Sequence, residues 1–186
     1  MPPESIAFVA LGVVSATQVI HLSFRSCSST IDAQNHTCLQ GHAISPPRIQ
    51  RRELHDYFYT TSAVEMENAI MQYKFNSEGD AALVFGSQAL GTVPLYRIAL
   101  FHRGVDHFYT ANENERSNVV KNLGHKDEGI VGYIYPSAVC CSVPFYRLYN
   151  PRMDDHFYTA NKSEKSIAAQ TLGCVTEGIA GYVLPV

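Results

Sequence analysis

The last quarter of the chain shows its plan most clearly. Val143 to Tyr149 is short, aromatic and β-prone, which predicts a strand. Asn150-Pro151-Arg152-Met153-Asp154 has the residues of a turn. His156-Phe157-Tyr158-Thr159 predicts a second strand, so the pair reads as a hairpin. Successive strand side chains point to opposite faces, which places Phe157 on a core face and Tyr158 on the other. A helix follows. Asn161 with Glu164 three positions on has the form of a capping box, and Asn112 with Glu115 and Ser62 with Glu65 repeat it. Val119, Val120 and Leu123 recur on one helix face. Gly124 and Gly173 fit the positive-φ position after a helix, where the first segment has Lys74. The final stretch, Glu177 to Pro185, predicts a strand entered through Gly178 at a bulge or tight bend.

The same order occurs three times. Asp56-Tyr57-Phe58-Tyr59-Thr60, Asp106-His107-Phe108-Tyr109-Thr110 and Asp155-His156-Phe157-Tyr158-Thr159 lie 50 and 49 residues apart. A Glu follows each Asp at a fixed distance (Glu65, Glu115, Glu164), and a Glu-Gly pair further on (Glu78-Gly79, Glu128-Gly129, Glu177-Gly178). An Arg precedes each core (Arg48, Arg97, Arg147). These offsets divide the chain into copies at 44–92, 93–142 and 143–186, preceded by a loop-like arm at 17–43. The expected fold is α+β: three tandem strand-strand-helix-strand repeats with antiparallel pairing. One such unit cannot cover both faces of its sheet, so the copies are expected to pack on each other. Three copies suggest a pseudo-threefold arrangement, with a short open stack as the alternative.

Composition narrows the function. Hydrophobic residues make up 46% and charged residues 17%, which marks a chain able to build a core. The net charge is -3, with no dense Lys/Arg stripe, so nucleic acid is not an expected partner. With no Trp among 11 Tyr and 9 Phe, an aromatic binding platform must use Tyr or Phe. Ile6 to Val14 is an apolar run followed by Ser15 and Ala16, a candidate signal peptide at 1–16, although Met1 to Ser5 has no basic residue. The run is too short to predict a membrane span. Asn35 and Asn161 head glycosylation sequons. There are five cysteines, an odd count: Cys27 with Cys38, and Cys140 or Cys141 with Cys174, are the pairings considered. Their spacing does not suggest zinc, and neither a metal nor a cofactor is expected.

The run from Val143 to Pro185, with its Tyr146-Arg147-Leu148-Tyr149-Asn150 strand, its His156-Phe157-Tyr158-Thr159 core and its Glu177-Gly178-Ile179 and Gly181-Tyr182 pairs, resembles a secreted repeat family known as domain of unknown function 5648. The resemblance covers about 44–186. Copies two and three match closely; copy one departs at Tyr57, Asp80, Ala82 and Leu83. The family occurs in fungal secreted proteins and, in bacteria, appended to wall hydrolases and other extracellular enzymes. That placement implies attachment to glycans or wall polymers.

The Asp-His pairs invite an acid-base reading, but adjacent strand residues face opposite ways and no nucleophile elbow accompanies them. The recurrent Arg and the Glu of Glu-Gly are expected either to pair within a copy or to grip ligand hydroxyls. The expected function is therefore a secreted, non-catalytic, lectin-like protein recognising wall or surface glycans. Its candidate ligand-binding residues are Asp106, His107, Tyr109, Asp155, His156, Tyr158, Arg97, Arg147, Glu128 and Glu177. An extracellular structural or protein-interaction module is the alternative, and it requires the repeated residues to be buried. A hydrolase comes third, since it needs one unique cleft.

Overall fold

The computed structural model describes residues 38, 43–44, 47–51, 56–101 and 104–186. The candidate signal segment 1–16, most of the arm 17–43, Cys27 and the Asn35 sequon lie outside the described residues.

The elements run in the order β1 (Ala43–Ile44), β2 (Pro47–Arg51), β3 (Asp56–Tyr59), α1 (Ala63–Tyr73), β4 (Asn76–Asp80), β5 (Val84–Phe85), β6 (Val93–Phe101), β7 (Val105–Thr110), α2 (Glu113–Lys121), β8 (Lys126–Ile134), β9 (Val143–Asn150), β10 (Asp155–Thr159), α3 (Lys162–Thr171) and β11 (Val175–Val183). The fold is α+β and its strand pairs are antiparallel. Three sheets form: β3-β2-β4, β10-β9-β11 and the five-stranded β1-β5-β8-β6-β7. In each, the Arg-bearing strand is flanked by its hairpin partner and by the strand that follows the helix. The register is the same throughout: Arg48 lies opposite Tyr59, Arg97 opposite Tyr109 and Arg147 opposite Tyr158.

Local chemistry explains the elements. Asn150 Oδ1 accepts the backbone N–H groups of Arg152 and Met153, closing the β9–β10 turn. The post-helix strands slip register near Gly79, Gly129 and Gly178, whose φ angles are 86°, 87° and 128°. Only glycine adopts such angles without a steric cost. Gly124 and Gly173 each take φ 73° beyond their helices, and Lys74 takes φ 61° at the equivalent place.

Two helix expectations are corrected. Val119 and Val120 pack inward, but Leu123 is 60% exposed, because it lies past the end of α2 in the turn leading to Gly124. The capping box forms only by half. Asn112 Oδ1 accepts the N–H groups of Asn114 and Glu115, but Glu115 does not reach back to the cap. Thr110 does so instead: its hydroxyl accepts the N–H of Asn112 and donates to Glu115 Oε2. Thr60 and Thr159 repeat the relay with Glu65 and Glu164.

The core lies where the sheets meet. Tyr59, Tyr109 and Tyr158 pack there with Leu95, Phe145, Val84, Ile134 and Val183. Smaller clusters sit under the helices, built on Phe58, Phe108 and Phe157. Each sheet is thus covered on both faces, by its own helix and by the other sheets. Disulfide pairing differs from both sequence alternatives. Cys38 bonds to Cys140 across 102 residues, Cys141 is also disulfide-bonded, and Cys174 is a free thiol.

Candidate functional site

The recurrent polar residues converge where one sheet meets the next. At the junction of the β3-β2-β4 sheet (the first) with the five-stranded sheet (the second), the β10-β9-β11 sheet being the third, Arg97 reaches out of β6. Its Nε lies 2.8 Å from Glu128 on β8, and its Nη2 lies 2.7 Å from Glu65 on α1. The guanidinium stacks 4.6 Å over the Phe58 ring. Arg147 is 3.0 Å from Glu115 and 4.7 Å over Phe108, and its Nε lies 3.0 Å from Glu177 without the angle of a hydrogen bond. Arg48 closes the third junction, 3.1 Å from Glu78, 2.8 Å from Glu164 and 5.2 Å over Phe157. Burial opposes the charge of Arg97, but its hydrogen bonds to Glu65 and the nearby carboxylates prevail, and the guanidinium is held above its ordinary range. The same balance raises Arg48 and Arg147.

The Asp and His side chains also pair across junctions. His107 Nδ1 lies 2.8 Å from Asp56, and His156 Nδ1 lies 2.5 Å from Asp106. Burial works against a charged His156, yet Asp106 and Glu177 prevail and push it up to about 9. The third junction lacks this pair. Tyr57 stands where the others have histidine, and its backbone N–H donates to Asp155 Oδ1 at 3.3 Å. Burial, with Asp106 nearby, pushes the Asp155 carboxyl up to about 9, so it holds its proton at neutral pH.

The candidate residues are therefore largely internal. Asp106, His107, Tyr109, Asp155, His156, Tyr158 and Arg97 are all buried, Arg147 and Glu128 are half-buried, and Glu177 stands at the surface. Tyr109 and Tyr158 are 1% and 0% exposed, which removes them as sugar-stacking platforms. Their faces were read correctly from the alternation, but the second face of each sheet meets protein and not water. Asn161 is exposed, with its Oδ1 capping α3. Self-comparison also missed the Thr relays and the cross-junction pairing. The threonines end every Asp-to-Thr core, so the signal was present; which copy they served was not.

Two clefts open at equivalent junctions. One, of about 420 Å³, has Phe58, Glu65, Arg97, His107 and Glu128 with Tyr73 at its rim. The other, of about 830 Å³, has Phe157, Glu164, Arg48, Tyr57 and Glu78 with Leu172 at its rim. Among the described residues, no group of three or more His, Cys, Asp or Glu is arranged to hold a metal, and no helix is long and apolar enough to cross a membrane.

The family model described as domain of unknown function 5648 matches residues 47–184. Comparison with curated proteins and with solved structures gives no match.

Proposed function

The chain belongs to the family described as domain of unknown function 5648, and from that premise we propose a secreted, non-catalytic protein that binds wall or surface glycans in the clefts between its copies. In this reading three tandem copies close about a pseudo-threefold axis. The observation that carries it is the recurrence of one cleft. A Phe ring under a guanidinium held between two carboxylates occurs as Phe58, Arg97, Glu65 and Glu128, and again as Phe157, Arg48, Glu164 and Glu78. Repeated weak sites on one rigid body favour avidity for a polymeric ligand over turnover of one substrate. The Arg and Glu groups satisfy each other, which suits a preformed surface better than a nucleophile awaiting activation. The Cys38–Cys140 disulfide is compatible with an oxidising compartment.

The second reading, an extracellular structural or protein-interaction module, is favoured by a different observation. His107, Tyr109, His156 and Tyr158 are all buried, as a frame would be. A glycan array on the full chain separates the two. It runs beside a Tyr73→Asp/Leu172→Asp double variant, whose two sites are each 56% exposed. Glycan binding lost in the variant supports the cleft reading. Silence from folded wild-type protein supports the frame.

A further inference from the structure

The two clefts are equivalent in position but not in chemistry. At the first–second junction Asp56 pairs with the imidazole of His107, and the His107 ring lines the cleft. At the third–first junction Tyr57 turns its ring edge-on to Phe157, 5.0 Å between centroids, and leaves the Asp155 carboxyl without an imidazole. The bond Asp155 does receive, from the Tyr57 N–H, is 3.3 Å, at the long end of the range. Asp155 is 2% exposed and lines the larger cleft. Ile167 and Leu172, on α3 and its turn, and Met153 line the same cleft and are 57%, 56% and 45% exposed.

We infer that this third–first cleft, and not its smaller counterpart, is the site for an uncharged sugar carrying an acylamino group; the inference rests on the glycan reading above. Charge selects the ligand class. Arg48 is the cation of the cleft, and it lies between Glu78 and Glu164, so no unpaired positive charge waits for a sulfated or carboxylated sugar. Asp155, kept protonated by its surroundings, brings no negative charge and can donate its O–H to an acceptor such as an amide carbonyl. The apolar wall of Ile167, Leu172 and Met153 suits the methyl of the same group and one face of the ring. The volume, about 830 Å³, accommodates a disaccharide.

The test is calorimetric titration of the full chain with N,N′-diacetylchitobiose and with cellobiose. Leu172→Asp alters the rim of this cleft, Tyr73→Asp the equivalent rim of the other, and Tyr57→His gives Asp155 the imidazole it lacks. The expected result is tighter binding of the acetylated sugar, weakened at least about tenfold by Leu172→Asp and by Tyr57→His and by a smaller factor in Tyr73→Asp. Binding lost in Tyr73→Asp but kept in Leu172→Asp overturns the inference and leaves the glycan reading intact. So does indifference to diacetylchitobiose while other glycans bind on the array. Silence toward every glycan by folded protein overturns both.

Discussion

The hydroxyl of Tyr109 donates to the backbone carbonyl of Tyr59 at 2.9 Å and accepts the backbone N–H of the same residue at 2.9 Å. Tyr158 does the same for Tyr109, and Tyr59 for Tyr158. The rings meet edge to face, with centroids 5.3 to 5.7 Å apart. Strands β3, β7 and β10 are edge strands of their sheets, and an edge strand presents unpaired backbone groups. Tyr59, Tyr109 and Tyr158 are buried, which takes these groups away from bulk solvent. One hydroxyl, donor and acceptor at once, satisfies both groups of the neighbouring edge.

Tyr109→Phe keeps the ring and removes that hydroxyl. It strands the N–H and C=O of Tyr59 in the core, and each unsatisfied buried group costs about 1–3 kcal/mol. Urea unfolding is expected to show a loss of about 2–4 kcal/mol. A loss below about 0.5 kcal/mol would mean that water reaches these groups.

Above the ordinary carboxylate range, stability is expected to fall as pH rises. The folded chain keeps Asp155 protonated up to about 9, whereas an ordinary aspartate of 3.8 has already ionised in the unfolded chain. Between these values folding takes up a proton, so each step up in pH costs stability. His156, raised from 6.5 to about 9, acts in the same direction: its contribution is complete below 6.5 and is lost toward 9. Asp106, Asp56, His156, Tyr57 and Cys174 are the titrating neighbours of Asp155. Asp155→Asn is expected to stabilise by about 1–3 kcal/mol at pH 8, to do little at pH 3, and to flatten the slope of Tm against pH. An unchanged slope would place the titration elsewhere.

Lys74 ends α1 in the left-handed conformation, φ 61° and ψ 32°, at the place where the other two helices are followed by glycine. A side chain there costs about 1 kcal/mol, partly offset by the greater unfolded-state freedom of glycine. Lys74→Gly is expected to raise stability by about 0.5 kcal/mol, read as a small upward shift in the urea midpoint.

Gly181 approaches Ile134 so closely that an added Cβ would lie 2.3 Å from its Cδ1 and 3.2 Å from the Tyr135 carbonyl. Ile134 is 1% exposed and has little room to turn. Gly181→Ala is expected to cost about 1–3 kcal/mol, and Ile134→Val, which removes the clashing methyl, to recover part of it. Failure of the pair to recover anything would assign the cost to the carbonyl contact.

Much of the local structure was legible because it is set by near neighbours. The hairpin turn at Asn150, the N-caps Ser62, Asn112 and Asn161, and the bulges at Glu-Gly each depend on residues a few positions apart. What was not legible lies between the sheets. Sequence alternation put Tyr158 opposite Phe157 correctly, but it is silent on what covers the second face. The Arg97–Glu65 pair joins residues 32 positions apart, on β6 and α1. Three identical offsets name every partner type and leave open whose partner it is. The Cys38–Cys140 bond was missed for the same reason, since it joins the arm to a turn 102 residues away.

The tyrosine cycle has neither a first nor a last member. In an open array of modules a terminal unit can detach and leave its neighbours standing, so melting runs inward from the ends. Here each edge strand is completed by the next, and the last completes the first. Opening any one sheet bares the edge of one neighbour and leaves the tyrosine hydroxyl of the other without its partners in the core, which makes partial opening costly at every position in the cycle. Hydrogen exchange at Tyr59, Tyr109 and Tyr158 should therefore proceed at one common, slow rate, without the gradient along the chain that an open stack would give.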